Sequence, residues 1–263
     1  MINIQGLNKW FGSNHVLRGV DLLIKEGETL VIIGQSGGGK SVLLKHILGL
    51  VEPDSGSIRI NDRDISSLHG NEINQLRGSI GMLFQGAALF DSMNVRENVG
   101  FSLYEHSTMS EAAIRDKVRE KLGLVGLYDI EEMMPAALSG GMKKRVGLAR
   151  AICNEPRIIL YDEPTTGLDP INADVINNLI LRMQEKLKVT SIVVTHDMTS
   201  AYKVGNRIAM IYHGRIIGIG TPEEIKRTAD PVIRQFVTGS AHGPITQEKD
   251  SKRRTTIAGR EDL

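Results

Sequence analysis

Three observations predict an α/β fold with a largely parallel core sheet for this chain of 263 residues. First, the apolar run Thr29–Ile33 leads into Gly34-Gln35-Ser36-Gly37-Gly38-Gly39-Lys40-Ser41 and then into a helical pattern. That is the strand, G-x-x-x-x-G-K-S/T, helix order of a phosphate-binding loop. Second, strand and helix patterns alternate from residue 157 onward, as parallel βαβ units require. Third, short alternating segments over residues 2–25, punctuated by Gly12 and Gly19, and over residues 57–61 read as strands. They predict a small antiparallel sheet beside the core.

The elements follow in order. Val42, Leu43, Ile47 and Leu50 recur at helical spacing after the loop, so a helix is expected over residues 40–50. The turn Pro53-Asp54-Ser55-Gly56 precedes the strand at 57–61, and residues 79–84 form a compact apolar strand. Helical patterns cover 95–103 and 110–124, with Thr108 three residues before Glu111 as a capping box. Ser139 opens a long helix that must stop before Pro156. Strand 157–161, helix 172–187 and strand 191–195 come next. The strands Arg207–Tyr212 and 215–219 then flank a His213-Gly214 hairpin turn. Thr221 caps a short helix with Pro222 at its first position. Residues 240–263 mix charges, Ser, Thr and Gly with few apolar side chains, so they form a tail, flexible or ordered on a neighbouring subunit.

Composition sets limits on function. With 32 basic against 31 acidic residues the formal charge is +1, which leaves no basic footprint for nucleic acid. Cys153 is the single cysteine, so an internal disulfide and a cysteine zinc cluster are excluded; it reads as core filler. Residues 1–5 lack the charged-then-apolar layout of a signal peptide. Apolar stretches such as 158–161 and 191–195 fall far short of the roughly 20 residues of a membrane helix. The chain is therefore expected to remain cytosolic and to reach a membrane only through a partner. It contains no internal repeat.

The glycines of the loop let backbone N–H groups turn inward on phosphate oxygens, and the helix behind adds its positive end. Lys40 is expected to reach the β- and γ-phosphates and Ser41 the Mg²⁺. Asp162 and Glu163 end a buried apolar strand, where carboxylates are costly to desolvate. Asp162 is placed to hold Mg²⁺, and Glu163 to polarise the water attacking the γ-phosphate.

Upstream of that acidic pair, Leu138-Ser139-Gly140-Gly141-Met142 resembles the LSGGQ signature of ATP-binding cassette proteins, with Met142 in place of the usual glutamine. Gln85 resembles the Q-loop glutamine, Leu168-Asp169 the D-loop, and His196 the switch histidine. Phe11, or secondarily Trp10, resembles the aromatic that stacks on adenine. The resemblance implies a P-loop NTPase with a RecA-like parallel core, an N-terminal antiparallel β subdomain and an α-helical subdomain at about residues 86–155, all within residues 1–239. It further implies ATP and Mg²⁺ as cofactors, with Gln85 offering its amide oxygen to the metal or the attacking water and His196 donating to the γ-phosphate. It implies a head-to-tail homodimer as well, in which Ser139, Gly140, Gly141 and Asp169 serve the nucleotide of the opposite subunit.

The segment from Leu83 to Met93 is apolar for one that follows a nucleotide-contacting glutamine, and suits a docking groove for a membrane subunit. With Val95-Arg96-Glu97-Asn98-Val99, the signature helix, Asp162 to Ile171 and Val232 to Val237, it resembles the ATPases of Mla-type phospholipid transporters, among which Met142 is no anomaly. That resemblance implies a permease dimer, an Mce-domain substrate-binding protein and in some systems a STAS-domain regulator. The alternative is an importer of a polar solute such as an amino acid, with identical nucleotide chemistry. A cassette protein acting on DNA would need a long coiled-coil insertion, which is missing here, and a translation factor would carry two cassettes.

Overall fold

A computed structural model describes residues 1–247. In chain order the elements are β1 Ile2–Phe11, β2 Asn14–Ile24, β3 Thr29–Ile33, α1 Lys40–Ile47, β4 Ser55–Ile60, β5 Arg63–Asp64, α2 Asn71–Gly78 and β6 Ile80–Leu83. There follow α3 Val95–His106, α4 Glu111–Leu124, α5 Gly140–Ala151, β7 Ile158–Asp162, α6 Pro170–Leu187, β8 Thr190–Thr195 and α7 Met198–Val204. The chain continues through β9 Arg207–Tyr212, β10 Arg215–Gly220, α8 Pro222–Lys226 and α9 Pro231–Thr238. Two sheets result. A four-stranded antiparallel sheet runs β2-β1-β4-β5, and a six-stranded sheet runs β10-β9-β3-β8-β7-β6 with every pair parallel except β10 with β9.

The core sheet is covered on both faces, which is why β3, β7 and β8 are buried along their whole length and apolar at their centres. Leu30, Ile32, Leu160, Ile192 and Val194 point toward α1 and the small sheet, where they meet Leu43, Leu44 and Ile47. Val31, Ile33, Ile159, Tyr161 and Val193 point the other way, into the core built with the helices. Each such aliphatic side chain, fully buried, contributes about 1.5–3 kcal/mol. Between β6 and β7 the chain leaves the sheet to form α3, α4 and α5, which pack through Val99, Val118 and Val146. The last core strands and the helix starts of α1, α5 and α6 are thereby fixed relative to one another.

Three expectations need correction. Ser110, not Thr108, caps α4, accepting from Ala113 N at 3.3 Å; Glu111 is then the first helical residue and too close to close a capping box. Helix α6 begins at Pro170, because Asp169 caps it and a proline at the first position lacks only an N–H that the helix leaves unused. The start of the expected tail is docked on its own chain. Gln235 Nε2 donates to Ser240 O at 3.1 Å, Ile245 N donates to Gln235 Oε1 at 2.8 Å, and Ile245 is buried. The rest of the tail lies outside the described residues. Among the described residues no helix is long and apolar enough to cross a membrane.

Candidate functional site

The loop between β3 and α1 takes its shape from two glycines that admit no side chain. A Cβ on Gly34 would stand 2.3 Å from Ile211 O, and Gly39, at φ +96°, would place one 2.9 Å from Leu17 Cδ2. Gly39 is also the residue before α1, whose first turn carries no acidic residue, so the positive helix end faces the loop unopposed. Lys40 is buried; its ammonium donates to Gly34 O at 2.8 Å and Gln35 O at 3.0 Å, and lies 3.8 Å from Glu163 Oε1. Burial holds its pKa below the ordinary lysine value, against the opposing pull of Glu163 and Asp162. The ammonium is thus held over the loop by two carbonyls and paired with the Glu163 carboxylate.

Strand β7 delivers Asp162 to the same place, where Ser41 Oγ donates to Asp162 Oδ1 at 2.9 Å. Burial pushes the Asp162 carboxyl above the usual carboxylate range and the Glu163 charge adds to this, while the Ser41 hydrogen bond acts the other way. A hydroxyl and one carboxylate, side by side at the mouth of a phosphate loop, fit Mg²⁺, which takes few protein oxygens and completes its shell with water and phosphate. No cluster of three or more His, Cys, Asp or Glu able to hold a metal occurs among the described residues, so a transition-metal centre has no counterpart in them.

Glu163 sits one residue beyond β7 at φ +49°, a left-handed conformation that costs a non-glycine residue about 1–3 kcal/mol. Its N–H donates to Val194 O at 2.9 Å, tying the turn to β8. The turn aims the carboxylate inward: Glu163 Oε2 accepts from Thr166 Oγ1 at 3.1 Å and lies 2.9 Å from His196 Nδ1. His196, at the end of β8, remains half exposed, with a carboxylate on one side and open cleft on the other.

A cleft of about 350 Å³ gathers Ser36, Gly37, Gly39, Lys40, Ser41, Gln85, Glu163 and His196. Gln35 and Gly38 line an adjoining cleft on the other side of the loop. Phe11, Ser139, Gly140, Gly141 and Asp169 lie outside the first cleft. Phe11 ends β1 and is exposed, with Lys9 Nζ 5.6 Å from its ring centre. Ser139 caps α5, accepting from Met142 N at 3.3 Å, and is exposed together with Gly140; Gly141 is buried with Asn172 Oδ1 2.9 Å from where a Cβ would stand. Asp169 caps α6 and accepts from Ile171 N and Asn172 N, both at 3.0 Å; hydrogen bonds from the Asn172 side chain and backbone hold its carboxyl below the usual range. The starts of α1 and α5 therefore lie apart, the first bordering the cleft that holds Lys40 and Glu163 and the second outside it.

Residues 17–166 match the family model described as ABC transporter. The chain belongs to the ABC transporter family. It is 43% identical over 251 residues to the probable ribonucleotide transport ATP-binding protein mkl of Mycobacterium tuberculosis, covering 95% of this chain and 70% of that one. It is 39% identical to the intermembrane phospholipid transport system ATP-binding protein MlaF of Haemophilus influenzae, covering 93% of each chain. The methionine import ATP-binding protein MetN of Clostridium tetani is 41% identical, over 90% of this chain and 74% of that one. Among solved structures, the dimeric post-hydrolysis state of the ATP-binding cassette MJ0796 bound to ADP and Pi superimposes with a TM-score of 0.78 at 33% identity. That match covers 84% of this chain and 99% of the other. The chain is thus an ABC ATPase cassette, and its two-sheet core with inserted helices is the ABC form of the P-loop NTPase fold.

Sequence reading of this ABC cassette missed several residues at the site. Val16 and Val42 line the cleft beside the loop, and Thr166 holds the Glu163 carboxylate. Lys144, on α5, is buried and donates to the carbonyls of Gln85 and Glu163, the latter at 3.2 Å. Its position five residues into the signature helix carries no motif of its own; only the helical register, which turns Lys144 inward while Lys143 is less buried, could have singled it out.

Proposed function

We propose that this chain is the ATP-hydrolysing subunit of an ABC transporter that moves phospholipid between inner and outer membrane and so maintains outer-membrane lipid asymmetry. The observation that carries the cargo is the match to the phospholipid transport ATPase over 93% of both chains, which leaves little of either protein unaccounted for. The geometry supports the chemistry. Lys40 and the loop N–H groups hold the phosphates, and Ser41, Asp162 and Gln85 are the residues that would hold Mg²⁺, which when bound draws charge off the transferred phosphoryl group. Glu163 accepts the proton of the attacking water, and His196, oriented by Glu163, donates toward the γ-phosphate.

The partners follow from the same reading. A second copy completes each site with Ser139, Gly140, Gly141 and Asp169, in keeping with their place outside the cleft and with the dimeric form of the solved relative. A permease dimer at the cytoplasmic face of the inner membrane occupies the groove of about 810 Å³ between α2, β6, α3 and α5, whose walls include the exposed Phe84. An Mce-domain substrate-binding protein completes the assembly, to which some systems of this type add a STAS-domain regulator. The balanced charge of the chain supports no nucleic-acid partner.

A second reading, an importer of a polar solute such as an amino acid, draws support from the methionine import relative at 41% identity. Affinity purification from detergent-solubilised membranes, with mass spectrometry of proteins and lipids, separates the two. Recovery of a permease, an Mce-domain protein and phospholipid is expected. An amino-acid permease without any Mce-domain protein would overturn the lipid assignment.

A further inference from the structure

Helix α5, capped by Ser139, carries three buried or half-buried cations that hold backbone carbonyls, Lys144, Arg145 and Arg150. Arg150 donates through Nη1 to Ala88 O and through Nη2 to Ala87 O, both at 2.7 Å. Those two alanines stand at φ +62° and +49°, consecutive left-handed residues just beyond Gln85. Asn98, fully buried, fixes the next stretch by accepting from Phe90 N at 2.8 Å and donating to Phe90 O at 3.1 Å and Met93 O at 2.9 Å. The segment after Gln85 is therefore a held conformation, unfavourable for the chain alone and maintained by groups on the neighbouring helices.

Lys144 differs from these anchors in what it connects. Its ammonium, in a residue only 5% exposed, donates to Gln85 O and to Glu163 O, residues that follow the ends of the neighbouring strands β6 and β7 and both line the cleft. Glu163 is itself strained at φ +49°, with its N–H tied to Val194 O. Its carbonyl accepts from Thr166 N at 3.3 Å within the turn and from Lys144, which is the tie that reaches across to Gln85. A buried ammonium directed at two neutral carbonyls is a costly arrangement where an apolar side chain would fill the same core. That cost is understandable if the two carbonyls have to be kept in register.

We infer that Lys144 is a positioning residue for ATP hydrolysis, which locks the backbone of Glu163 to that of Gln85 so that the carboxylate is aimed only while the segment after Gln85 is held. This rests on the ATPase reading above. Its consequence is that movement of the Gln85 segment is transmitted to Glu163 through one ammonium, without any change in the phosphate loop that binds the nucleotide.

The test uses the full chain with ATP for turnover and a non-hydrolysable ATP analogue for affinity. Lys144→Met keeps the aliphatic stem and removes the donors; its kcat is expected to fall about tenfold or more while the analogue's Kd stays within about threefold of wild type. Lys144→Arg, which keeps donors for both carbonyls, is expected to retain kcat within about threefold. Lys144→Gln carries the test where the methionine variant does not fold. Its single amide donor serves one carbonyl at a time, and an intermediate fall in kcat at unchanged Kd is expected. A methionine or glutamine variant with wild-type kcat overturns the inference. So does a parallel loss of kcat, affinity and melting temperature in all three variants, which assigns Lys144 to core stability alone. A wild-type chain that hydrolyses no ATP at high protein concentration and with its membrane partner present overturns the ATPase reading and this inference together, whereas an active wild type equalled by Lys144→Met overturns this one only.

Discussion

His196 Nδ1 lies 2.9 Å from Glu163 Oε2, a contact that joins the ends of β8 and β7 at the wall of the nucleotide cleft. The pair orients two groups of different duty. In the proposed reaction Glu163 would take the proton of the attacking water, and His196 would donate through its second ring nitrogen to the phosphate. Glu163→Gln preserves the shape of the side chain and the Thr166 hydrogen bond but removes the base. ATP binding by equilibrium dialysis is expected to be unchanged, and phosphate release to fall by about 10²-fold or more. A variant that hydrolyses ATP at near the wild-type rate would remove Glu163 from the base role.

Lys40 has the opposite duty. Its ammonium rests on Gly34 O and Gln35 O and lies 3.8 Å from Glu163 Oε1 at the cleft, so in the proposed reading Lys40→Ala takes a charged donor from the phosphates. A charge-assisted hydrogen bond contributes about 1.5–3 kcal/mol, so ATP binding should weaken about 10- to 100-fold. Titration calorimetry with ATP checks this. Affinity equal to wild type would show that the backbone of the loop alone holds the nucleotide.

The Ser41–Asp162 contact, at 2.9 Å between side chains 121 residues apart in sequence, makes a metal prediction. Chelation of divalent cations should stop hydrolysis, and added Mg²⁺ should restore it. Ser41→Ala leaves Asp162 in place and removes one oxygen, so the Mg²⁺ concentration for half-maximal ATPase should rise about tenfold. An unchanged Mg²⁺ requirement would exclude the Ser41 hydroxyl from the metal's shell.

The residues at this site that the sequence made legible are those whose chemistry is local. The phosphate loop needs glycines where Gly34 and Gly39 admit no Cβ, and it needs Lys40 and Ser41 at fixed offsets, so the pattern is written in eight consecutive residues. Alternating strands and helices from β7 onward were equally visible, because burial on both sheet faces leaves the apolar runs 158–161 in β7 and 192–194 in β8. What escaped depends on contacts across the fold. Lys144 acts on Gln85, 59 residues away, and Arg150 on Ala87, 63 away, and neither spacing leaves a mark in the chain. The cap of α4 escaped for the converse reason: Thr108 and Ser110 are both good caps within two residues, and only the backbone geometry, in which Ser110 accepts from Ala113 N, distinguishes them. The docking of Ile245 on Gln235 likewise turns on a single apolar residue in a polar stretch.

Exposure of Ser139 and Gly140, away from the cleft that holds Lys40 and Glu163, bears on the assembly. Where each ATP lies between the loop of one chain and the signature of another, hydrolysis needs two chains. ATPase rate per chain should rise with protein concentration and with the membrane partner present, and sedimentation in ATP with Glu163→Gln should show the dimer. A rate per chain independent of both, in a confirmed monomer, would contradict the composite site.

His46 gives the fold a pH dependence of its own. It is fully buried on α1, and its Nδ1 lies 2.8 Å from Val42 O; a carbonyl only accepts, so the neutral ring carries its proton on Nδ1. Burial holds its pKa below the ordinary value of 6.5, with the Lys9 charge acting the same way and the Val42 and Glu52 carbonyls and Asp54 acting against it. In the unfolded chain the ring takes up a proton near pH 6.5, while the folded chain resists until lower pH. The unfolded state then binds more protons, so stability is fully present above about pH 6.5 and is lost as pH falls, by at most about 1.4 kcal/mol per pH unit from this one group. Urea unfolding at pH 7.5 and pH 5.5 measures the loss. His46→Gln, which keeps a donor for Val42 and cannot titrate, should show a smaller drop between the two pH values than wild type. Equal drops would place the acid sensitivity elsewhere in the chain.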